Sequence, residues 1–171
     1  MIIWINGPFG VGKTTAAALV AERVTGSRLF DPEYVGYLLA AFVEAPTGDF
    51  QDLPVWRRLV VQTMRALDEE YNCTWIAPMS LIRADYRNEI LGGLRAAGVD
   101  VREFILTMSE PRLRARIDAD QADTKARQWR HNHAGPALAE FETFADALFL
   151  DAARPPESIA DDIAARALEA V

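Results

Sequence analysis

The stretch MIIWINGPFGVGKTTAAALV, residues 1–20, decides how the rest of the chain is read. Ile2 to Asn6 are mostly apolar and read as a buried strand. Lys13 to Thr25, KTTAAALVAERVT, reads as a helix closed by Gly26. Between them, Gly7-Pro8-Phe9-Gly10-Val11-Gly12-Lys13-Thr14 fits G-x-x-x-x-G-K-[ST], a phosphate-binding pattern. The alternative is a glycine turn that merely caps a helix. The strand before it and the helix after it favour the phosphate cradle. Glycines let successive N–H groups turn inward around an anion, and the helix start adds its positive dipole end. Gly7, Phe9, Gly10, Val11, Gly12, Lys13, Thr14 and Thr15 are therefore the expected nucleotide-binding residues. Lys13 would supply charge to the β- and γ-phosphates, and the Thr14 hydroxyl would meet Mg²⁺.

Working outward, short apolar runs alternate with longer amphipathic stretches, the pattern of an α/β fold with a parallel sheet. RLF (28–30), CTWIAPM (73–79), DVREFILTM (100–108) and ALFLDA (147–152) are the further expected strands. Asp31-Pro32 opens a helix to about Val43, with Val35, Leu38, Leu39 and Phe42 expected on one face. Helices are also expected over 54–70, 84–98, 109–118 and the carboxyl end. Residues 118–135 are charged and weakly periodic, and read as a mobile helical flap rather than core. One domain over 1–171, with a lid at about 118–135, is the expected organisation.

At 171 residues the chain can bury roughly two-thirds of its unfolded surface. Its net charge of −7 disfavours non-specific nucleic-acid binding, so a nucleotide must be met by a local positive site. Cys73 is the one cysteine, which fits a reducing compartment and rules out an internal disulfide. No apolar run approaches about 18 residues. A cytoplasmic location is expected.

Several P-loop classes fit poorly. None of the four asparagines precedes a lysine, so the Asn-Lys-x-Asp element of guanine-specific proteins is missing. The third strand ends WIAPMS, without the acid that large ATPases usually place there. A small kinase remains, handing a phosphoryl group to a small acceptor.

The segments MIIWINGPFGVGKTT, FDPEYVGYLL, DFQDLPVWR and APMSLI resemble the tunicamycin-resistance protein family, itself similar to the shikimate and gluconate kinases. The resemblance runs from Met1 to about Ile117. It implies a P-loop NTPase fold: five parallel strands in the order 2-3-1-4-5, helices on both faces and a helical lid. It also implies ATP, Mg²⁺ and a role in binding or modifying a nucleoside antibiotic. The family's membrane-associated carboxyl extension has no counterpart here, so no membrane insertion is expected, and the chain would act as a monomer or homodimer.

Asp31, at the end of the second strand, is the expected acceptor-orienting carboxylate and, through water, a magnesium contact. Capping of the next helix is its plainer role. Glu33 is a candidate substrate or metal-water contact. Arg116 ends a Leu-x-x-Arg pattern like the family's, and with Lys125, Arg127 and Arg130 it forms a positive cluster in the flap. Such arginines could stabilise the transferring phosphoryl group or simply pair with Asp118, Asp120 and Asp123. Where the family pattern has a second arginine, Asp120 stands. Phe50, Trp56, Arg57 and Arg83 are expected beside the acceptor, with helix packing the alternative for Trp56. His131 and His133 read as a polar loop rather than a metal site.

The favoured expectation is an ATP- and Mg²⁺-dependent phosphotransferase acting on a small hydroxyl compound. The alternatives are a nucleotide-dependent protein that sequesters a drug without chemistry, and a nucleoside or nucleotide kinase.

Overall fold

A computed structural model describes residues 1–121, 124 and 126–169. Among them, β1 (Ile2–Asn6), β2 (Arg28–Leu29), β3 (Trp75–Pro78), β4 (Val101–Thr107) and β5 (Leu148–Asp151) form one sheet in the order β2-β3-β1-β4-β5. Every pairing is parallel, with Ile5 opposite Pro78 on one side and Phe104 on the other. This is the expected fold, and β1 sits at its centre.

Alternation along β1 sets the two layers. Ile3 and Ile5 point into a cluster with Ala17 and Val20 of α1 (Lys13–Arg23) and Ile159 and Ile163 of α8 (Pro156–Leu168). Ile2 and Trp4 face the other way. They meet Trp56, Val60 and Met64 of α3 (Pro54–Glu70), together with Ile90 and Leu94. The segment after β3 is helical throughout: α4 (Ala84–Arg87), a π-helical turn (Asn88–Gly92) and α5 (Gly93–Ala96).

Two expectations need correction. In α2 (Glu33–Ala40), Val35 and Leu39 are buried, but Leu38 and the following Phe42 are exposed. The helix ends at Ala40, and Val35 and Leu39, an i, i+4 pair, join the cluster around α3. The flap is also more than a surface segment. After α6 (Glu110–Ala119), α7 runs from Arg127 to Phe141, and Ala134 belongs to the main core. Ala137 and Phe141 pack with Phe144 against Ile105 of the sheet. The lid is thus rooted in core at its carboxyl end. Lys125 and Asp123 lie outside the described residues.

The point where β1 stands between β3 and β4 is a topological switch, and ligands of such sheets bind beyond the strand ends there. A buried polar network fixes this point. Asn6, fully buried, accepts from the amides of Gly7 (2.9 Å) and Leu81 (2.8 Å), and donates to Glu103 (2.9 Å). Glu103 in turn receives two nitrogens of Arg87, itself bound to Asp146 at 2.8 Å. A buried carboxylate is tolerated only when paired in this way.

Candidate functional site

The loop from β1 to α1 can only be made by glycine at three places. Gly7, Gly10 and Gly12 have φ of 138°, 80° and 105°, in the region that L side chains rarely adopt. A Cβ on Gly7 would come within 2.5 Å of the Leu106 carbonyl, and one on Gly12 within 2.9 Å of the Arg116 guanidinium. The result is a concave turn ending at the amino terminus of α1.

This turn forms one wall of a cleft of about 470 Å³. Gly10, Gly12, Lys13, Thr14 and Thr15 line it from below, Arg116 and Arg130 from the lid side. Thr14 and Thr15 are exposed in the first turn of α1. Lys13 donates to the carbonyls of Gly7 (3.1 Å) and Pro8 (2.9 Å), which draws its ammonium over the loop. Burial pulls its pKa down to about 7, against a restoring pull from Glu33 and a further push from Arg130. Such a lysine gains most from an incoming anion.

The other predicted nucleotide residues play different parts. Val11 is buried in the core and its amide turns back to Pro8, so it does not line the cleft. Gly7 lies beneath the loop, its carbonyl receiving both Lys13 and the Ser80 hydroxyl. The Phe9 ring faces a second cavity.

Arg116 donates to the Ala152 carbonyl at 3.4 Å while lying against Gly12. Arg127, expected in the catalytic cluster, is turned instead onto the Asp120 carbonyl at 3.1 Å, inside the connection between α6 and α7. Arg130, one turn further along α7, takes the place on the cleft and contacts Asp120 at 2.8 Å.

The second cavity, about 310 Å³, lies beside the first, with Glu33, Asp49, Phe50 and Trp129 on its walls. The chain reaches it by a short 3-10 turn, Phe50–Asp52, capped by Asp49. Asp31 stands at the entry to α2. One carboxylate oxygen accepts from the Glu33 amide at 2.9 Å, as the capping role requires, and burial pushes its carboxyl above the ordinary range. Glu33 accepts from the Tyr37 hydroxyl at 2.8 Å.

Of the residues expected at the acceptor, Phe50 and Glu33 line this cavity, and four others do not: Asp31, two residues before Glu33, lines neither cavity, and Trp56, Arg57 and Arg83 are turned elsewhere. Trp56 is fully buried and its indole N–H donates to the Pro32 carbonyl, so it belongs to the core. Arg57 is enclosed, bound to Glu89 and the Gln51 carbonyl and stacked 4.0 Å from the Tyr86 ring. It supports the 3-10 turn from behind. Arg83 is exposed, held by both carboxylate oxygens of Asp85, and borders a separate groove with His133 and Pro136.

Asp49 and Trp129 also line this cavity, and no motif in the sequence marks either. Burial raises the Asp49 carboxyl above its usual range, with the Asp52 charge adding to it. Trp129 meets Phe9 edge-on at 4.6 Å and His133 at 4.2 Å, which ties the lid helix to the phosphate loop. A tryptophan in an otherwise charged segment was the available signal, since α7 has no apolar stripe there to bury it.

A strand-to-helix glycine turn, a lysine bent over it and a cleft closed by lid arginines make a nucleotide phosphate site in kind. The AAA domain sequence pattern matches residues 2–142. The chain belongs to the AAA domain family. Its structure is similar to the tunicamycin resistance protein of Deinococcus radiodurans, at 29% identity and a TM-score of 0.81, over 98% of this chain and 95% of that one. This bears out the resemblance read from the sequence. A gluconokinase from Sinorhizobium meliloti (15% identity, TM-score 0.66, 95% and 89% covered) shares the fold. So does the APS kinase of Mycobacterium tuberculosis, solved with AMPPNP and APS (18%, 0.65, 95% and 94%). No curated protein sequence matches the chain significantly. No helix among the described residues is long and apolar enough to cross a membrane.

Proposed function

We propose that this protein transfers the γ-phosphoryl group of ATP to a hydroxyl of a small molecule. The observation that carries the reading is the adjacency of two cavities, one with a phosphate-turn floor and one lined by carboxylates, with Phe9 of the loop reaching the second. In the first, Lys13 and the loop amides hold the polyphosphate, and Arg116 and Arg130 approach from the lid. In the second, the acceptor lies within reach of the loop.

The acceptor oxygen attacks the γ-phosphorus, the bond to the β–γ bridging oxygen breaks, and ADP leaves with that electron pair. The hydroxyl proton passes to Asp31, whose second carboxylate oxygen is not used by the cap. Its raised pKa makes it a better proton acceptor than an ordinary aspartate. Arg116 and Arg130 offset charge on the transferring group, and the lid excludes water that would otherwise hydrolyse ATP. The exposed Thr14 hydroxyl and, through water, Asp31 would hold Mg²⁺, which supplies further charge neutralisation at the phosphates.

The likeness to a tunicamycin resistance protein supports a nucleoside-type antibiotic as one acceptor to test. A second reading, sequestration of the drug without chemistry, is favoured by one contact: Asp120 lies 2.8 Å from Arg130 and weakens its charge toward a phosphate. Mass spectrometry of tunicamycin after incubation with the protein, ATP and magnesium separates the two. A gain of one phosphoryl group matched by one ADP supports transfer. Saturable binding with unchanged mass supports sequestration.

A further inference from the structure

The acceptor cavity is chemically one-sided. Two carboxylates, Glu33 and Asp49, stand among three aromatic rings, Phe9, Phe50 and Trp129, and the described lining residues include neither arginine nor lysine. Each carboxylate uses one oxygen on the protein: Glu33 Oε2 accepts from Tyr37, and Asp49 Oδ1 from the Gln51 amide, both at 2.8 Å. Neither carboxylate has an arginine or lysine ion-pair partner among the described residues. The arginines nearby are committed elsewhere. Arg57 is bound to Glu89 and the Gln51 carbonyl, and Arg83 to Asp85. Lys13 donates to the phosphate loop and stands 5.7 Å from the centre of the Phe9 ring, where it partly balances Glu33, so Asp49 is the carboxylate left to meet a cation.

An acceptor bearing a carboxylate, sulfate or phosphate would meet two like charges here with no arginine fork to receive it. A cation meets the opposite situation. It finds two carboxylate oxygens with no hydrogen-bond partner among the described residues, and the rings of Phe50 and Trp129, whose faces attract positive charge. The Asp49 carboxylate is half-buried, where an opposite charge is worth more than at an open surface.

Resting on the phosphotransfer reading, we infer that the acceptor is a hydroxyl compound that also carries a protonated amine, held by Asp49 beside Glu33 with its apolar face against the Phe9, Phe50 and Trp129 rings. Amino sugars and aminocyclitols are the chemical class. The neighbouring hydroxyl is the one that faces the phosphate loop.

The test is calorimetric titration of the full chain, saturated with AMPPNP and magnesium at pH 7.0. Glucosamine and 2-deoxystreptamine serve as amine probes, N-acetylglucosamine as the neutral match and gluconate as the anionic one. At least one amine binds tenfold or more tightly than N-acetylglucosamine, gluconate does not bind, and Asp49→Asn weakens the amine at least tenfold with AMPPNP affinity within twofold. Gluconate binding as well as the amines, N-acetylglucosamine equal to glucosamine, or no binding by either amine overturns the inference. If AMPPNP binds and the amines do not, only the acceptor class falls. If AMPPNP fails to bind as well, the phosphotransfer reading falls with it.

Discussion

Arg116 lies so close over Gly12 that a methyl group on that glycine would come within 2.9 Å of the guanidinium. Helix α6, which leads into the lid, and the phosphate loop therefore share one contact surface. Gly12→Ala is hindered twice, by that contact and by a φ of 105°. The substitution costs about 1–3 kcal/mol of stability through backbone strain, read as a lower denaturant midpoint. It also weakens ATP binding at least tenfold by displacing Arg116.

Lys13 carries a stability cost that nucleotide relieves. Its folded pKa is about 7, below the ordinary 10.5. Between those two values the unfolded chain binds more protons than the folded one, so this group's contribution to stability rises with pH across that window. Below about pH 7 the cost is fully present. Lys13→Met therefore raises the melting temperature at pH 6, and its advantage over the native chain narrows as the pH climbs toward 9. Thermal melts across that range check it, with ATP turnover abolished in the variant at every pH.

Asp31 combines a cap and a proton acceptor, and one substitution separates them. Asparagine still accepts from the Glu33 amide, so Asp31→Asn leaves the melting temperature nearly unchanged. Turnover falls by roughly 10²–10⁴-fold as the proton acceptor is lost. In the native chain, burial holds the Asp31 carboxyl above 3.8, so the acid limb of the turnover profile lies above the ordinary aspartate range. Steady-state kinetics against pH, with melts of both proteins, test these statements together.

Trp129 is 43% exposed, so its removal has little effect on the core. Its contact with Phe9 is what joins lid to loop. Trp129→Ala raises KM for the acceptor severalfold with a melting temperature close to native, while Trp129→Phe restores most of the loss. An equal fall in melting temperature for both variants would mark Trp129 as a packing residue instead.

The phosphate turn was legible because its chemistry is local: Gly7, Gly10 and Gly12 must be glycine for reasons contained within eight residues. Strand order followed from the family resemblance alone, and the unbroken apolar run of Ile2 to Ile5 marks a strand buried on both faces without saying which layer each residue enters. Trp56 and Arg57 were harder. Their residue types suit a ligand, yet their positions on α3 point them at Pro32 and Gln51, and sequence spacing alone does not fix that helix rotation. Arg127 and Arg130 stand alike in the sequence, and the start of α7 decides which of them faces the cleft. Asp49 reaches the acceptor cavity only through the 3-10 turn that follows it, a tertiary feature held by Arg57 from behind.

The central claim is that the loop from Gly7 to Thr14 holds the phosphates of ATP with Lys13 as its charge. Calorimetric titration of ATP with magnesium at pH 7.5, repeated in buffers of different ionisation enthalpy, tests it most directly. Saturable 1:1 binding is predicted, with uptake of roughly three-quarters of a proton as Lys13 moves from a pKa of about 7 to fully charged. Binding and proton uptake are both lost in Lys13→Met. No heat of binding from the folded native chain would contradict the account, and so would binding that Lys13→Met leaves intact.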